Sequence, residues 1–269
     1  MKQASKKKMH FTPAGLLQPT NPVRVNLIGC GGTGSRVLDE LARIHYALLS
    51  FGHPGMSVYV FDEDTVSAAN VGRGFLKGEI GLNKAGLLVN NINRSMGTDW
   101  KAFDFSFGYD TLSRIGYRAL ASVTITCVDK VRPRLEIIDI LKDIRGKAGH
   151  HAHQPLYHLD FGNSQYTGQV ILSTVGEIEQ PASKKYRPVA TLPLLTDEYR
   201  ELLAQSTQED DSPSCSLPVA LTKQDLFINP SLATLGTSLL WKLFRQGMSD
   251  VRGFFLNLAT YRLQPLMVD

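Results

Sequence analysis

A chain of 269 residues, 43% of them apolar, can bury one full α/β core. It has no run of eighteen apolar residues, which excludes a membrane-spanning helix, and its net charge of +4 is too modest to mark a nucleic-acid binder. Three scattered cysteines, Cys30, Cys127 and Cys215, exclude a disulfide framework and fit a reducing cytoplasm; with no C-x-x-C pair, a four-thiolate zinc site is excluded too.

Residues 1–22 carry turn formers and Lys6-Lys7-Lys8 without periodicity. No apolar stretch follows the lysines, so they read as a basic arm and not a signal peptide. Val23, Val25, Leu27 and Ile28 make a short apolar run suited to a buried strand, which ends in Gly29-Cys-Gly31-Gly32-Thr-Gly34. Such glycines turn the backbone sharply and bring a phosphate close to the N–H groups of a helix start. The helix follows over Ser35–Ser50, with Val37, Leu38, Leu41, Ile44 and Leu48 on one face; His45 on that face reads as a packed core histidine.

Ser57–Asp62 is the next strand, ending in a carboxylate that could bond a ribose hydroxyl, as in an NAD(P)-dependent oxidoreductase. Asp62-Glu-Asp64, Asn70, Arg73 and Lys84 come next, Lys84 falling in the first turn of a helix over Leu82–Ile92. A nicotinamide site does not need that cationic series, whereas the charged phosphates of ATP do. Ser122–Val128 is a β-rich run ending at Asp129. At the carboxyl end of a parallel strand, Asp129 is well placed to face a ligand; its alternative role is a helix cap before Pro133.

A helix over Leu135–Ile144 leads to His150, His151, His153 and His158, which read as a solvated loop because no second ligand cluster accompanies them. Leu156–Asp160 and Gln169–Thr174 read as strands. The long connection 176–211 has one expected helix, Asp197–Gln205, and runs into the polar Ser212-Pro-Ser-Cys215-Ser-Leu-Pro218. Burial is not expected there, which sets Cys215 apart from Cys30 and Cys127, both of which read as structural. A helix from Gln224 to Arg245, capped near Asn229 with Pro230 at its start, carries Leu232, Leu235, Leu239 and Leu243 as core or subunit interface. Gly253–Leu258 is the expected last strand, and 259–269 the tail.

The glycine turn, D-x-D-x-V from Asp62, Asn70, Arg73 three residues later and the downstream Lys84 together resemble the E1-like activating enzymes, the superfamily of ThiF, MoeB and the ubiquitin E1 adenylation domains. The resemblance runs over residues 23–258 in order. It implies one Rossmann-like ATP-binding domain whose largely parallel sheet is extended by C-terminal strands, with a crossover loop at 176–218 above the adenylate. It implies ATP contacts from Gly29, Gly31, Gly32, Gly34, Asp62, Asp64, Asn70, Arg73, Lys84 and Asp129, Mg²⁺ on Asp129, and Arg73, Lys84 and Cys215 as catalytic residues. It further implies a ubiquitin-like protein substrate, an E2-like acceptor and a cytoplasmic homodimer. The Pro-Ser-Cys-Ser and Gln-Asp-Leu-Phe-Ile-Asn segments are similar to the ThiF-like protein of bacterial PRTRC cassettes.

The sequence also departs from that pattern. Arg134 is kept but Lys130 replaces the asparagine after Asp129, and no arginine precedes the glycines except Arg24, inside the first strand, where relatives bring an arm arginine into the partner's site. A nicotinamide oxidoreductase and a non-catalytic nucleotide-binding scaffold of a plasmid-associated system are the alternative functions.

Overall fold

The parallel heart of the protein is five strands in the spatial order β4 (Lys101–Phe103), β3 (Met56–Phe61), β2 (Val23–Ile28), β5 (Val123–Thr126) and β6 (Tyr157–Asn163). Beyond β6 come β7 (Thr167–Thr174), β10 (Val251–Asn257) and β11 (Arg262–Met267), each antiparallel to its neighbour, completing an eight-stranded sheet. The structure, a computed structural model, describes residues 6–147, 153–199 and 217–269.

Valine and isoleucine fill β2, β3 and β5 because both faces of a parallel sheet are covered. Helices α2 (Gly32–Ser50), α3 (Lys84–Met96) and α8 (Ile228–Gln246) pack on one face over Val25, Leu27, Val58 and Ile125. On the other, α5 (Val131–Lys147) lays Ile137, Ile140, Leu141 and Ile144 over Ile28 and Phe61. Strand order reverses between β2 and β5, since the chain moves outward through β3 and β4 and then returns to β5. A crevice at the carboxyl ends of β2 and β5 is where such sheets take ligands. No helix among the described residues is long and apolar enough to cross a membrane.

Several expectations need correcting. Residues 8–11, within the expected arm, form β1 (Lys8–Phe11), which pairs with β8 (Arg187–Pro188) and β9 (Met248–Ser249); a one-turn helix α1 (Ala14–Leu17) follows. His10 on β1 is fully buried and reaches both the Val189 carbonyl and the Tyr157 hydroxyl, at 2.7 Å each. Four residues are too few to show a period, so this strand left no pattern in the sequence. At the other end the expected tail contains β11, an exposed edge strand whose Pro265 is tolerated where no neighbour needs its missing N–H.

Helix α5 begins four residues before the expected Leu135, with Pro133 in its first turn, where a missing N–H costs nothing. Asn229 is not the cap of α8: Phe227 is, and Asn229 lies buried inside the first turn. Among the described residues there are also the short helices α4 (Thr111–Ile115), α6 (Leu195–Glu198) and α7 (Leu217–Lys223), and the expected helix at 197–205 falls largely outside the described residues.

His158 belongs to β6, within the expected strand Leu156–Asp160, and not to the solvated histidine loop. It is fully buried, with Nε2 2.7 Å from the Thr126 hydroxyl, and burial lowers its pKa from the ordinary value despite Asp160 nearby. Burial lowers His10 and His45 in the same direction. Histidines held neutral in the fold bind protons more readily once unfolded, so stability is full above about pH 6.5 and declines as pH falls toward their depressed folded values. Chemical denaturation at pH 7.5, 6.5 and 5.5 should show that decline, with a shallower slope for His158→Gln. An unchanged slope in that variant would remove His158 from the acid response.

Candidate active site

The glycine turn sits at the crevice mouth, directly after β2. Gly29 takes φ +88°, and a Cβ there would lie 2.9 Å from the Cys127 carbonyl oxygen beside β5. A Cβ on Gly34 would fall 1.9 Å from the Gly29 oxygen, so this glycine lets α2 start hard against the strand. At Gly32 it would meet the Asn229 amide nitrogen at 2.5 Å. Only Gly31, of the four, faces open space. Helix α2 begins there without a side-chain cap, so the first-turn N–H groups and the positive end of a nineteen-residue helix face the same opening.

Asp62 braces this turn from β3. Its carboxylate accepts from the Cys30 N–H and, at 2.9 Å, from the Asp64 N–H, and burial raises its pKa above the ordinary carboxylate value. Lys84, the first residue of α3, is buried and sends Nζ to the exposed Asp64 carboxylate at 2.7 Å. Asn83 fixes that corner: its amide donates to the Asp62 and Asp64 carbonyls at 2.9 and 3.2 Å while its oxygen caps α3 at Gly86. Asn70 turns inward on its own loop, accepting from the Ser67 N–H and hydroxyl at 2.9 and 3.0 Å. It shapes the bend that delivers Arg73.

Arg73 is half-buried, and burial lowers its pKa from the ordinary guanidinium value. Its Nη2 donates to the Gln224 side-chain oxygen, its Nε is buried without a partner, and no carboxylate pairs with it among the described residues. The guanidinium also approaches the turn, with Nη2 3.6 Å from where a Gly32 Cβ would stand. Asp129 is exposed just beyond β5 and makes no hydrogen bond among the described residues, while Lys130 beside it is also exposed.

Arg134 does something else. It is buried, and donates to the Val128 carbonyl at 2.7 and 3.0 Å, to the Phe161 carbonyl at 2.8 Å and to Asp160 at 3.4 Å, tying β5 to β6 behind the site. Arg24 is likewise engaged within the chain, donating to Tyr117 and Leu120 carbonyls and lying 4.8 Å over the Tyr59 ring. Burial raises the Cys30 and Cys127 thiols well above their usual range, which makes both poor nucleophiles. Cys215, His150 and His151 lie outside the described residues.

The structure thus brings the glycine turn, Asp62, Asp64, Arg73 and Lys84 together at the carboxyl ends of β2 and β3, while the Asn70 side chain bonds within its own loop and Asp129 lies just beyond β5. It adds side chains that the sequence did not single out for this site: Asn83, Thr33, Asn163, Gln224 and Asn229. Thr33 and Asn163 donate to the Asn229 oxygen at 2.9 and 3.0 Å, and the Asn229 amide donates to Gln224 at 3.3 Å. In the sequence, Asn229 before Pro230 reads only as a helix cap.

The chain matches no protein-family model, and no curated protein resembles it in sequence. Solved structures do resemble it in fold. PaaA matches with a TM-score of 0.58 at 14% identity, over 92% of this chain and 73% of that one. E. coli MccB crystallised with MccA-N7isoASN matches at 0.56 and 15%, over 91% and 64%. MccB with ATP matches at 0.55 and 14%, over 94% and 64%. The chain therefore spans a little under two thirds of MccB, and what the likeness shows is a shared α/β fold: a mostly parallel central sheet continued by antiparallel C-terminal strands.

Proposed function

We propose that the chain is an ATP-dependent adenylating enzyme of the E1-like kind, activating the C-terminal carboxylate of a small ubiquitin-like protein. The observation that carries this reading is Arg73, a half-buried cation without a carboxylate partner among the described residues, beside an uncapped helix start and the open face of Gly31. A buried cation without a counter-charge is costly, and an anion seated on the helix N–H groups would relieve it. MccB, similar in fold, has been crystallised with ATP.

In the proposed reaction a carboxylate oxygen attacks the α-phosphorus, the bond to pyrophosphate breaks, and an acyl adenylate forms. The first-turn N–H groups of α2, with Arg73, take the charge that builds on the phosphate oxygens. Lys84 joins them by releasing Asp64, whose exposed carboxylate can turn to water. Asp129, exposed and without a hydrogen-bond partner among the described residues, fits Mg²⁺, which usually takes one or two carboxylates plus phosphate oxygens. Mg²⁺, when bound, supplies neutralisation of the phosphate charge.

The finer parts of the proposal rest on the resemblance. They are a thioester on Cys215, transfer to an E2-like acceptor, a cytoplasmic homodimer and a setting like that of PRTRC cassettes. A thiol attacks an acyl adenylate readily, because the adenylate is far more reactive than the thioester it forms.

ATP–pyrophosphate exchange with candidate ubiquitin-like proteins from the same gene neighbourhood tests the reading. Exchange should depend on one of them, and Cys215→Ser should keep exchange while losing a reductant-sensitive adduct. Tighter binding of NAD than of ATP would overturn the adenylation reading. A substrate that is adenylated by wild type without any adduct would leave an enzyme that stops at the adenylate.

A further inference from the structure

The acceptor that holds Arg73 is a primary amide where a carboxylate would grip an arginine more strongly. The surroundings explain how that amide is aimed. Asn229 is almost fully buried, and both Thr33 and Asn163 donate to its oxygen, at 2.9 and 3.0 Å. Its nitrogen must therefore face Gln224, at 3.3 Å, and in turn forces Gln224 to present oxygen on that side. Arg73 takes the same oxygen. Gly32 leaves the room this needs, since a Cβ there would strike the Asn229 amide. One chain of uncharged groups thus joins the first turn of α2, the end of β6 and the entry to α8 to a single cation.

We infer that Gln224 is a positioning residue for the site, set by Asn229, which fixes the Arg73 guanidinium beside the glycine turn while leaving its charge unneutralised for a polyphosphate. This rests on the nucleotide reading above. A neutral acceptor costs the ligand less to outcompete than a carboxylate would, because a single guanidinium–amide hydrogen bond is weaker than an arginine–carboxylate ion pair. A carboxylate at position 224 would hold the arginine as well or better and would cancel the charge that the ligand needs.

The two demands separate in Gln224→Glu and Gln224→Ala. Full-length protein is titrated at low salt with ATP and, separately, with inorganic tripolyphosphate, and melting is recorded for each variant. The glutamate variant keeps the acceptor and gains an ion pair, so it should melt at or above wild type yet bind both ligands about 10- to 100-fold more weakly. The alanine variant keeps the charge and loses only the aim, so it should melt slightly lower and bind about two- to fivefold more weakly.

A glutamate variant that binds as wild type does, or an alanine variant that loses more than the glutamate, would make Gln224 ordinary structural support. Wild type binding tripolyphosphate but not ATP would overturn the nucleotide reading, while the ranking against tripolyphosphate still decides the role of Gln224. Wild type binding neither would overturn both.

Discussion

Arg73→Ala is expected to lower kcat/KM for ATP–pyrophosphate exchange by about 10²- to 10³-fold while leaving the melting transition cooperative, a loss in line with removing one preorganised charge donor. The two halves of that result come from different contacts. Losing the guanidinium removes the one cation that stands beside the glycine turn without a carboxylate among the described residues. Folding suffers little, because the Gln224 oxygen still accepts from Asn229 and the lost side chain is only half-buried. Arg73→Lys should recover only a fraction of the exchange, since an ammonium cannot present the planar fork of donors. Exchange by Arg73→Ala within about threefold of wild type would move the phosphate site away from this crevice.

How far the sequence foretold this site depends on the kind of contact. The glycine turn and its flanking strands were legible because buried parallel strands are near-continuous apolar runs and the turn falls between strand and helix. Asp62 and Lys84 were legible as members of a spaced pattern, although the pattern says nothing of their mutual arrangement. The structure shows Asp62 bracing the Cys30 N–H and Lys84 closed onto Asp64.

Arg134 shows the limit. Its position suits the resemblance, yet its side chain points inward to the Val128 and Phe161 carbonyls, and only packing decides that. Gln224 and Asn229 were invisible as site residues because their partners lie far off in sequence: Arg73 is 151 positions from Gln224, and Thr33 is 196 from Asn229. No local period encodes such pairs. Strands β1 and β11 escaped for opposite reasons, the first being too short to alternate and the second too exposed to need to.

Gly34→Ala should cost on the order of 4 kcal/mol or more, enough to consume much of the ~5–15 kcal/mol that holds a domain folded. The added carbon would sit 1.9 Å from the Gly29 carbonyl oxygen and 2.9 Å from its carbon, and both obstacles are backbone. Gly29 cannot retreat: it holds φ +88° with the Cys127 carbonyl behind it, and its own N–H is bonded to Phe61 at 2.9 Å. Relief requires α2 to lift away from β2, which would unseat Val37, Leu38 and Leu41, all fully buried against the sheet. Overpacking against a flexible side chain typically costs only about 1–3 kcal/mol; a rigid backbone contact has no such escape. Gly31→Ala is the matched control. Its Cβ enters open space, so it should melt close to wild type, yet it stands where a phosphate would sit and should weaken ATP binding by at least about tenfold. Urea unfolding of both variants, with ATP titration of Gly31→Ala, separates the two roles. A Gly34→Ala protein as stable as Gly31→Ala would mean that α2 and β2 are not locked together at this contact.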